Sequence, residues 1–419
     1  MAKFIITGGK QLNGEIIVSG AKNNAQIMLP ASLLSKETIT LKNVPRIDGV
    51  NKSLELLQHL GAKITDQGNE LQINTANVSK TELEKKIADK FRTSVMFVGP
   101  LLARFGEARF PHPGGCVIGA GGRPIDLFLE SFSALGAKIE VHDNYYHLSA
   151  KKLHGADFFF TTATVTGTQS MMMTACLAEG ETILRNCAME PEIEALANYL
   201  NDQGAKIKGA GTPTIIIKGV TSLGAGICKI IPDRIEAGSF ALMAAASGSE
   251  IKIKNCYPQH LLNLLTVFDK INVHYEKGDD WILIKKSSNI LPYNLKTHEY
   301  PGFSTDLQSP YVVLMTQAQG LSLIQETIYD RRLIWTDMLS QMGANIIMCD
   351  PHRVVISGPT KLYGKKLISP DIRAGIALVI AALIAQGTTE IDNIYQIDRG
   401  YEQLDLRLKK LGADITRLE

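Results

Sequence analysis

The chain has 419 residues, 45% of them hydrophobic and 21% charged, an ordinary globular balance that excludes disorder, collagen-like repetition and a stapled miniprotein. Forty-four Lys and Arg against 42 Asp and Glu leave a net charge of +2, so no broad field is available to wrap nucleic acid. Any anion binding has to come from local clusters of basic residues.

The six cysteines, at 116, 176, 187, 228, 256 and 349, include no CxxC pair and no Cys/His spacing that suits zinc. They fit a reducing compartment. The N-terminal MAKFIITGGKQLNGEII has no long apolar run before a cleavage site. The most apolar stretch, 374–385, is shorter than the roughly 20 residues a bilayer span needs and reads as a buried helix. The expectation is a cytoplasmic protein with no membrane or nucleic-acid contact and no metal site.

In chain order, residues 4–18 read as extended and 24–34 as an apolar helix. ETITLKN at 37–43 reads as a strand and 50–60 as an amphipathic helix with leucines at 54, 56, 57 and 60. Gly61 ends that helix as a C-cap residue does. The alternation in AKITDQGNELQIN then predicts paired strands.

This pattern recurs. LGAKI (60–64), LGAKI (135–139), QGAKI (203–207), MGANI (342–346) and LGADI (411–415) each follow a helical run, and a degenerate KINV stands at 270–273. A second marker, Gly106, Gly180, Gly248, Gly320 and Gly387, separates a helical run from a strand-like one. Both keep a period of about 70 residues, too long for typical helical solenoids. The predicted unit is an extended segment, apolar helix, glycine turn, strand, second helix and two further strands. Six units suggest two halves of three, with a boundary near 229–231. The lead-in segment 4–18 can pair with either half.

Aligned at the first helix, the six units give SGAKNN (19–24), DKFRTS (89–94), VTGTQS (165–170), RIEAGS (234–239), STDLQS (304–309) and DIRAGI (371–376). Lys22, Arg92, Arg234 with Glu236, Asp306 and Arg373 thus stand at or beside helix N-termini, where free N–H groups attract phosphate or carboxylate. The loops before the second helices carry Arg46, Arg123, Glu192, His260, Arg331 with Arg332, and Arg399. If repetition gathers these loops, two basic rims would suit a substrate with several negative charges. PHPGGCVIGAGGRPID (111–126) is rich in Gly and Pro and holds Cys116, whose thiol could act as nucleophile or general acid near cations. Asp306 is the best general-base candidate; an N-cap role is its structural alternative.

SGAKN (19–23), the Arg92 segment, PGGCxIG (113–119), RPID (123–126), EPEI (190–193), PDRIEAG (232–238), TD (305–306), DIRA (371–374) and IDRGYE (397–402) together carry a family resemblance. Across essentially its whole length the chain resembles the UDP-N-acetylglucosamine 1-carboxyvinyltransferases, enolpyruvyl transferases of the EPSP synthase superfamily. The resemblance implies an α/β fold of two inside-out α/β barrels (α/β prisms), each of three βαβαββ units. It implies a first domain over 22–230 with the cysteine loop (111–126), a second over 1–21 plus 231–419, and an active site in the cleft between them.

The substrates so implied are phosphoenolpyruvate and UDP-N-acetylglucosamine, with no cofactor and no metal. Lys22 and Asn23 resemble the phosphoenolpyruvate-binding pair, joined by Arg123 and Arg399, with Arg332 and Arg373 as further arginines of the anionic pocket. Arg92, the loop Arg123, Pro124, Ile125, Asp126 and Leu127, Asp306 and Ile328 resemble UDP-sugar contacts. Cys116 resembles the cysteine that protonates the enol carbon and is trapped by fosfomycin. Cys116, Asp306, Lys22 and Arg399 are the implied catalytic set.

There are departures from the family pattern. Cys116 and Arg123 are seven apart rather than five, through Gly121–Gly122. Asp48 stands one position early, Gln396 replaces a common His, and Thr164–Gly167 replaces an SVG phrase. The rival readings are a shikimate-pathway enolpyruvyl transferase and a non-catalytic UDP-sugar-binding paralogue.

Overall fold

The third repeat shows how the pattern becomes structure. In the computed structural model, which describes residues 2–112 and 125–419, strand Asp157–Phe159 leads into helix Val165–Ala175 and strand Glu181–Arg185. Helix Pro191–Asp202 and strands Lys206–Lys208 and Thr214–Lys218 complete the unit. The helix between the first two strands returns the chain to the same end, so they pair in parallel. Thr214–Lys218 lies antiparallel on the other side, with Ile215 and Ile217 buried, and Lys206–Lys208 forms the edge. Among the described residues there are five four-stranded sheets and one three-stranded sheet, and none closes into a barrel.

The lead-in strands are exchanged. Asn13–Ile17 runs parallel to Glu250–Lys254, and Lys3–Thr7 sits between Thr388–Asp392 and Asp414–Leu418. Residues 4–18 therefore do not lead into the first repeat. That place is taken by Gly226–Lys229, parallel to Thr38–Lys42. The chain divides accordingly into one unit of residues 2–19 and 232–419 and another of residues 20–112 and 125–231. Each has its own hydrophobic core.

The first helix of each repeat is central. These helices are α1 (Lys22–Ala31), α2 (Val98–Phe105), α3 (Val165–Ala175), α4 (Arg234–Ala246), α5 (Thr305–Met315) and α6 (Ile372–Ile384). In α4 every residue from Ile235 to Ala246 is buried, and in α6 every residue from Ala374 to Leu383. Helices without a polar face belong inside. In the 2–19/232–419 unit α4, α5 and α6 pack on one another. Gly238 permits the close approach of α4 to α5, because a Cβ there would stand 2.7 Å from Leu307 Cδ1. The sheets lie outside this trio, as in Glu250–Lys254, where Ile251 and Ile253 are buried and the flanking residues are not. No helix among the described residues is long and apolar enough to cross a membrane.

The glycine markers are helix ends in left-handed backbone. Gly61, Gly136, Gly204, Gly343 and Gly412 have φ between 92° and 110°, and the next residue donates back to the helix, as Ala62 N does to Leu57 O at 3.0 Å. In the degenerate fourth copy this position is not Lys270 but Asn272, with φ 63° and Val273 N bonded to Phe268 O at 3.0 Å. Asn tolerates the left-handed region better than other side chains, so the turn survives without glycine.

Gly412→Ala should therefore cost about 1–2 kcal/mol through backbone strain alone, since a Cβ there meets only Gln11 O at 3.8 Å. Asn272→Gly should shift stability by less than about 0.5 kcal/mol. Urea unfolding midpoints of the two variants test this; a large loss in Asn272→Gly with none in Gly412→Ala would reverse the assignment of the turn.

Candidate active site

A helix N-terminus leaves backbone N–H groups without helical partners. In the 2–19/232–419 unit these are met by short side chains in the same register. Asp233 caps α4, accepting from Ile235 N at 2.8 Å and Glu236 N at 3.0 Å. Asp371 caps α6 through Arg373 N at 2.7 Å and Ala374 N at 3.0 Å. Ser304 caps α5 through Asp306 N at 3.2 Å. Asp306 is thus not the N-cap, and its carboxylate is available for other contacts.

Those contacts are two arginines from different repeats. Arg332 Nη2 donates to Asp306 Oδ1 at 2.8 Å and Arg373 Nη2 to Oδ2 at 2.7 Å. Arg332 Nη1 donates to Thr305 Oγ1 at 2.7 Å, and its guanidinium lies 4.9 Å from the Tyr329 ring centre. The side chains of Arg332 and Arg373 are 5% and 11% exposed, and that of Asp306 24%. Burial works to raise the Asp306 carboxyl, but Arg373 and Arg332 outweigh it and hold the group well below the usual carboxylate range. Burial likewise opposes the charge on Arg373, and Asp306 reverses that and holds it protonated.

Arg399 follows the short helix Tyr395–Asp398 and donates from Nη1 to Gln396 Oε1 at 2.9 Å. The unusual Gln396 is thus a direct partner of a predicted site arginine. Two residues on, buried Tyr401 shares a 2.9 Å hydrogen bond with Ser239 of α4, and burial pushes its phenol up to about 12. Ile328 is half-buried, its N–H bonded to Glu326 Oε1 at 2.8 Å.

In the other unit Lys22 and Asn23 open α1, both half-buried, and Asn24 Oδ1 accepts from Ile231 N at 3.2 Å. Arg92 opens the 3-10 turn Arg92–Phe97 that runs into α2. Ile125 is buried just before helix Asp126–Ala134, whose first residue Asp126 is exposed and second residue Leu127 half-buried. Cys116, Arg123 and Pro124, with Gly121 and Gly122, lie outside the described residues.

Not every residue of the loop register brings an available positive charge. Arg46 is paired with Asp66, its Nη1 donating to Oδ2 at 2.7 Å. Glu192 is acidic and buried, and burial together with Arg234 pushes the His260 imidazole down to about 4, leaving it neutral at pH 7. This loop register does not form a uniform basic rim. Glu326 left no trace in the sequence analysis, whereas Thr305 stood there only within TD (305–306) and Tyr401 only within IDRGYE. No group of three or more His, Cys, Asp or Glu among the described residues could hold a metal ion.

A half-buried carboxylate at the start of α5, clamped by Arg373 at the start of α6 and by Arg332 from the turn before helix Thr336–Gln341, is equipped to position a hydroxyl beside an anion. Comparison with known proteins agrees with such chemistry. The EPSP synthase (3-phosphoshikimate 1-carboxyvinyltransferase) family model matches residues 6–408. UDP-N-acetylglucosamine 1-carboxyvinyltransferase of Desulfatibacillum aliphaticivorans is 43% identical over 419 residues, covering 100% of both chains. UDP-N-acetylglucosamine 1-carboxyvinyltransferase 1 of Carboxydothermus hydrogenoformans is 44% identical over 418 residues, covering 100% of this chain and 99% of that one. Among solved structures, the enolpyruvyl transferase NikO of Streptomyces tendae superposes with a TM-score of 0.90 at 21% identity, over 99% of this chain and 98% of its own. EPSP synthase of Acinetobacter baumannii gives 0.76 at 16% identity, over 100% of each chain. The two-unit, six-repeat fold is thus that of the enolpyruvyl transferases, and the chain belongs to the EPSP synthase family, within its UDP-N-acetylglucosamine 1-carboxyvinyltransferases.

Proposed function

We propose that this protein transfers the enolpyruvyl group of phosphoenolpyruvate to the 3′-hydroxyl of UDP-N-acetylglucosamine, releasing phosphate, as the first committed step of peptidoglycan synthesis in the cytoplasm. The observation that carries the reading is the Arg332–Asp306–Arg373 arrangement, in a chain 43% identical over its full length to an enzyme named for this transfer. In the addition step the sugar oxygen bonds to C2 of phosphoenolpyruvate as C3 gains a proton. In the elimination step the C2–O bond to phosphate breaks and C3 loses a proton, restoring the double bond.

Lys22, Asn23, Arg123 and Arg399 serve the phosphate in this reading, and Arg332 and Arg373 the rest of the anionic pocket. Arg92, the 123–127 loop, Asp306 and Ile328 serve the UDP-sugar, and Cys116 delivers the C3 proton. Asp306 is ionised at neutral pH, as a base must be. Two arginines make it a weak base, so it orients the hydroxyl and accepts its proton only as the O–C2 bond forms.

The direct test is phosphate release from phosphoenolpyruvate. It should require UDP-N-acetylglucosamine and fail with shikimate-3-phosphate. The reverse preference would establish the shikimate-pathway reading, and no release with either acceptor a non-catalytic one.

Cys116 should be the thiol that reacts first with the anionic epoxide fosfomycin. Burial raises Cys176, Cys187, Cys228 and Cys256 to about 12, which leaves exposed Cys349 as the competitor among the described cysteines. Peptide mapping decides, and label on Cys349 would overturn the assignment.

The depressed Asp306 carboxyl stabilises the folded state above its ordinary pKa of about 4, and that stability is lost as pH falls below it. Asp306→Asn should thus be less stable than the parent by about 3 kcal/mol at pH 7, because two guanidiniums lose their counter-charge. The gap should narrow towards pH 3, while phosphate release at pH 7 falls at least about 100-fold. Equal stability at pH 7 would show that the clamp is not a structural charge pair.

A further inference from the structure

Four of the six repeats end their second strand with the same device. Asn43, Asn186, Asn255 and Asn393 follow strands Thr38–Lys42, Glu181–Arg185, Glu250–Lys254 and Thr388–Asp392, with φ between 54° and 58°. Each side-chain amide donates to a backbone oxygen just past the lead-in strand, at Ile230, Phe160, Val18 and Ser369, over 2.7 to 2.9 Å. The tie is structural and local.

In the fifth repeat the parallel register, Lys296 opposite Gln325, places Glu326 at this position, as Lys229 opposite Lys42 places Asn43. The neighbouring residues have taken over the tie. Thr327 Oγ1 donates to Thr297 O at 2.5 Å, and Thr297 N to Gln325 O at 3.0 Å. Glu326, 1% exposed, is thereby turned to other partners. Its Oε1 accepts from Ile328 N at 2.8 Å and Tyr329 N at 3.1 Å, holding the turn that leads to Arg332. Its Oε2 accepts from Thr305 Oγ1 at 2.8 Å, and the same hydroxyl oxygen accepts from Arg332 Nη1 at 2.7 Å.

A hydroxyl has one proton to give. Because Glu326 takes it, the Thr305 oxygen is oriented as an acceptor for Arg332, whose other terminal nitrogen meets Asp306. We propose that Glu326 is a positioning residue, which acts through Thr305 to set Arg332 against Asp306 and through its backbone contacts to present Ile328 and Tyr329; as a statement about turnover this rests on the reading above. A buried carboxylate at a site where other repeats use an amide is costly unless fully hydrogen-bonded. Its three acceptor contacts satisfy that requirement, and all lie in the segments that carry Asp306 and Arg332.

The test compares Glu326→Gln, Thr305→Val, Thr305→Ser and the double variant Thr305→Val/Glu326→Gln. Glu326→Gln puts an amide donor where the Thr305 proton now points, and Thr305→Val removes the link. Each should lower kcat at least about tenfold; KM for UDP-N-acetylglucosamine should move less than about threefold in Thr305→Val and more in Glu326→Gln, which also loosens Ile328. The double variant should be no worse than the poorer single one, since both act through Arg332. Thr305→Ser, which keeps the hydroxyl, should recover most of the loss seen in Thr305→Val.

A kcat within about twofold of the parent in Glu326→Gln, multiplicative losses in the double variant, or no recovery with Thr305→Ser would each overturn the proposal. Thr305→Val carries the test if Glu326→Gln fails to fold. If the parent protein itself releases no phosphate, the functional reading fails instead. Crystal structures of the variants then decide the positioning claim alone: the 2.8 Å contact of Arg332 Nη2 with Asp306 Oδ1 should be broken in Thr305→Val and kept in Thr305→Ser, and its retention in both would overturn it.

Discussion

A helix that is apolar on every side can be stable in water only when other elements cover all of it, and α4 and α6 are such helices. Much of the remaining architecture answers this demand. Each sheet is narrow and buries one face against a central helix, and each repeat contributes one central helix and most of one sheet. A single repeat could not bury its helix; three together can. The exchange of lead-in strands follows the same logic, because Asn13–Ile17 and Gly226–Lys229 complete sheets begun far away in the chain.

The same packing brings the charged groups together. With α4, α5 and α6 in mutual contact, Arg373 at the start of α6 reaches Asp306 at the start of α5. Desolvation alone would disfavour the charge on that carboxylate. Two guanidiniums reverse the balance, and the carboxylate in turn keeps Arg373 charged. Removing one member of such a group costs more than its net worth, since it leaves charge buried without a counterpart. Stability and acid–base character therefore rest on the same atoms.

Repetition also shows where the scaffold departs from its own pattern. The Asn that ties strand ends recurs at Asn43, Asn186, Asn255 and Asn393, and Glu326 breaks the series beside Thr305 and Arg332. Asn272 for glycine is a different kind of change: the backbone conformation is kept and no ionised group is introduced. His260 stands in the arginine register but is neutral at pH 7, so one register carries unlike electrostatics in different repeats.

The period of about 70 residues, the helix-ending glycines and the pairing of a first apolar helix with a second amphipathic one were legible in the amino-acid sequence. These are local matters: a left-handed glycine, a Schellman closure or a helical stripe is decided within a few residues. The family motifs were legible too, because they are short and ordered along the chain. Only the tertiary structure decided that residues 3–17 pair with strands beyond residue 249, that the left-handed turn belongs to Asn272 and not Lys270, and that Ser304 and not Asp306 caps α5. It also decided which charges are neutralised, as Arg46 is by Asp66 and Asp306 by Arg332 and Arg373. Strand pairing and charge pairing depend on distances between residues tens to hundreds of positions apart, and no local pattern encodes those distances.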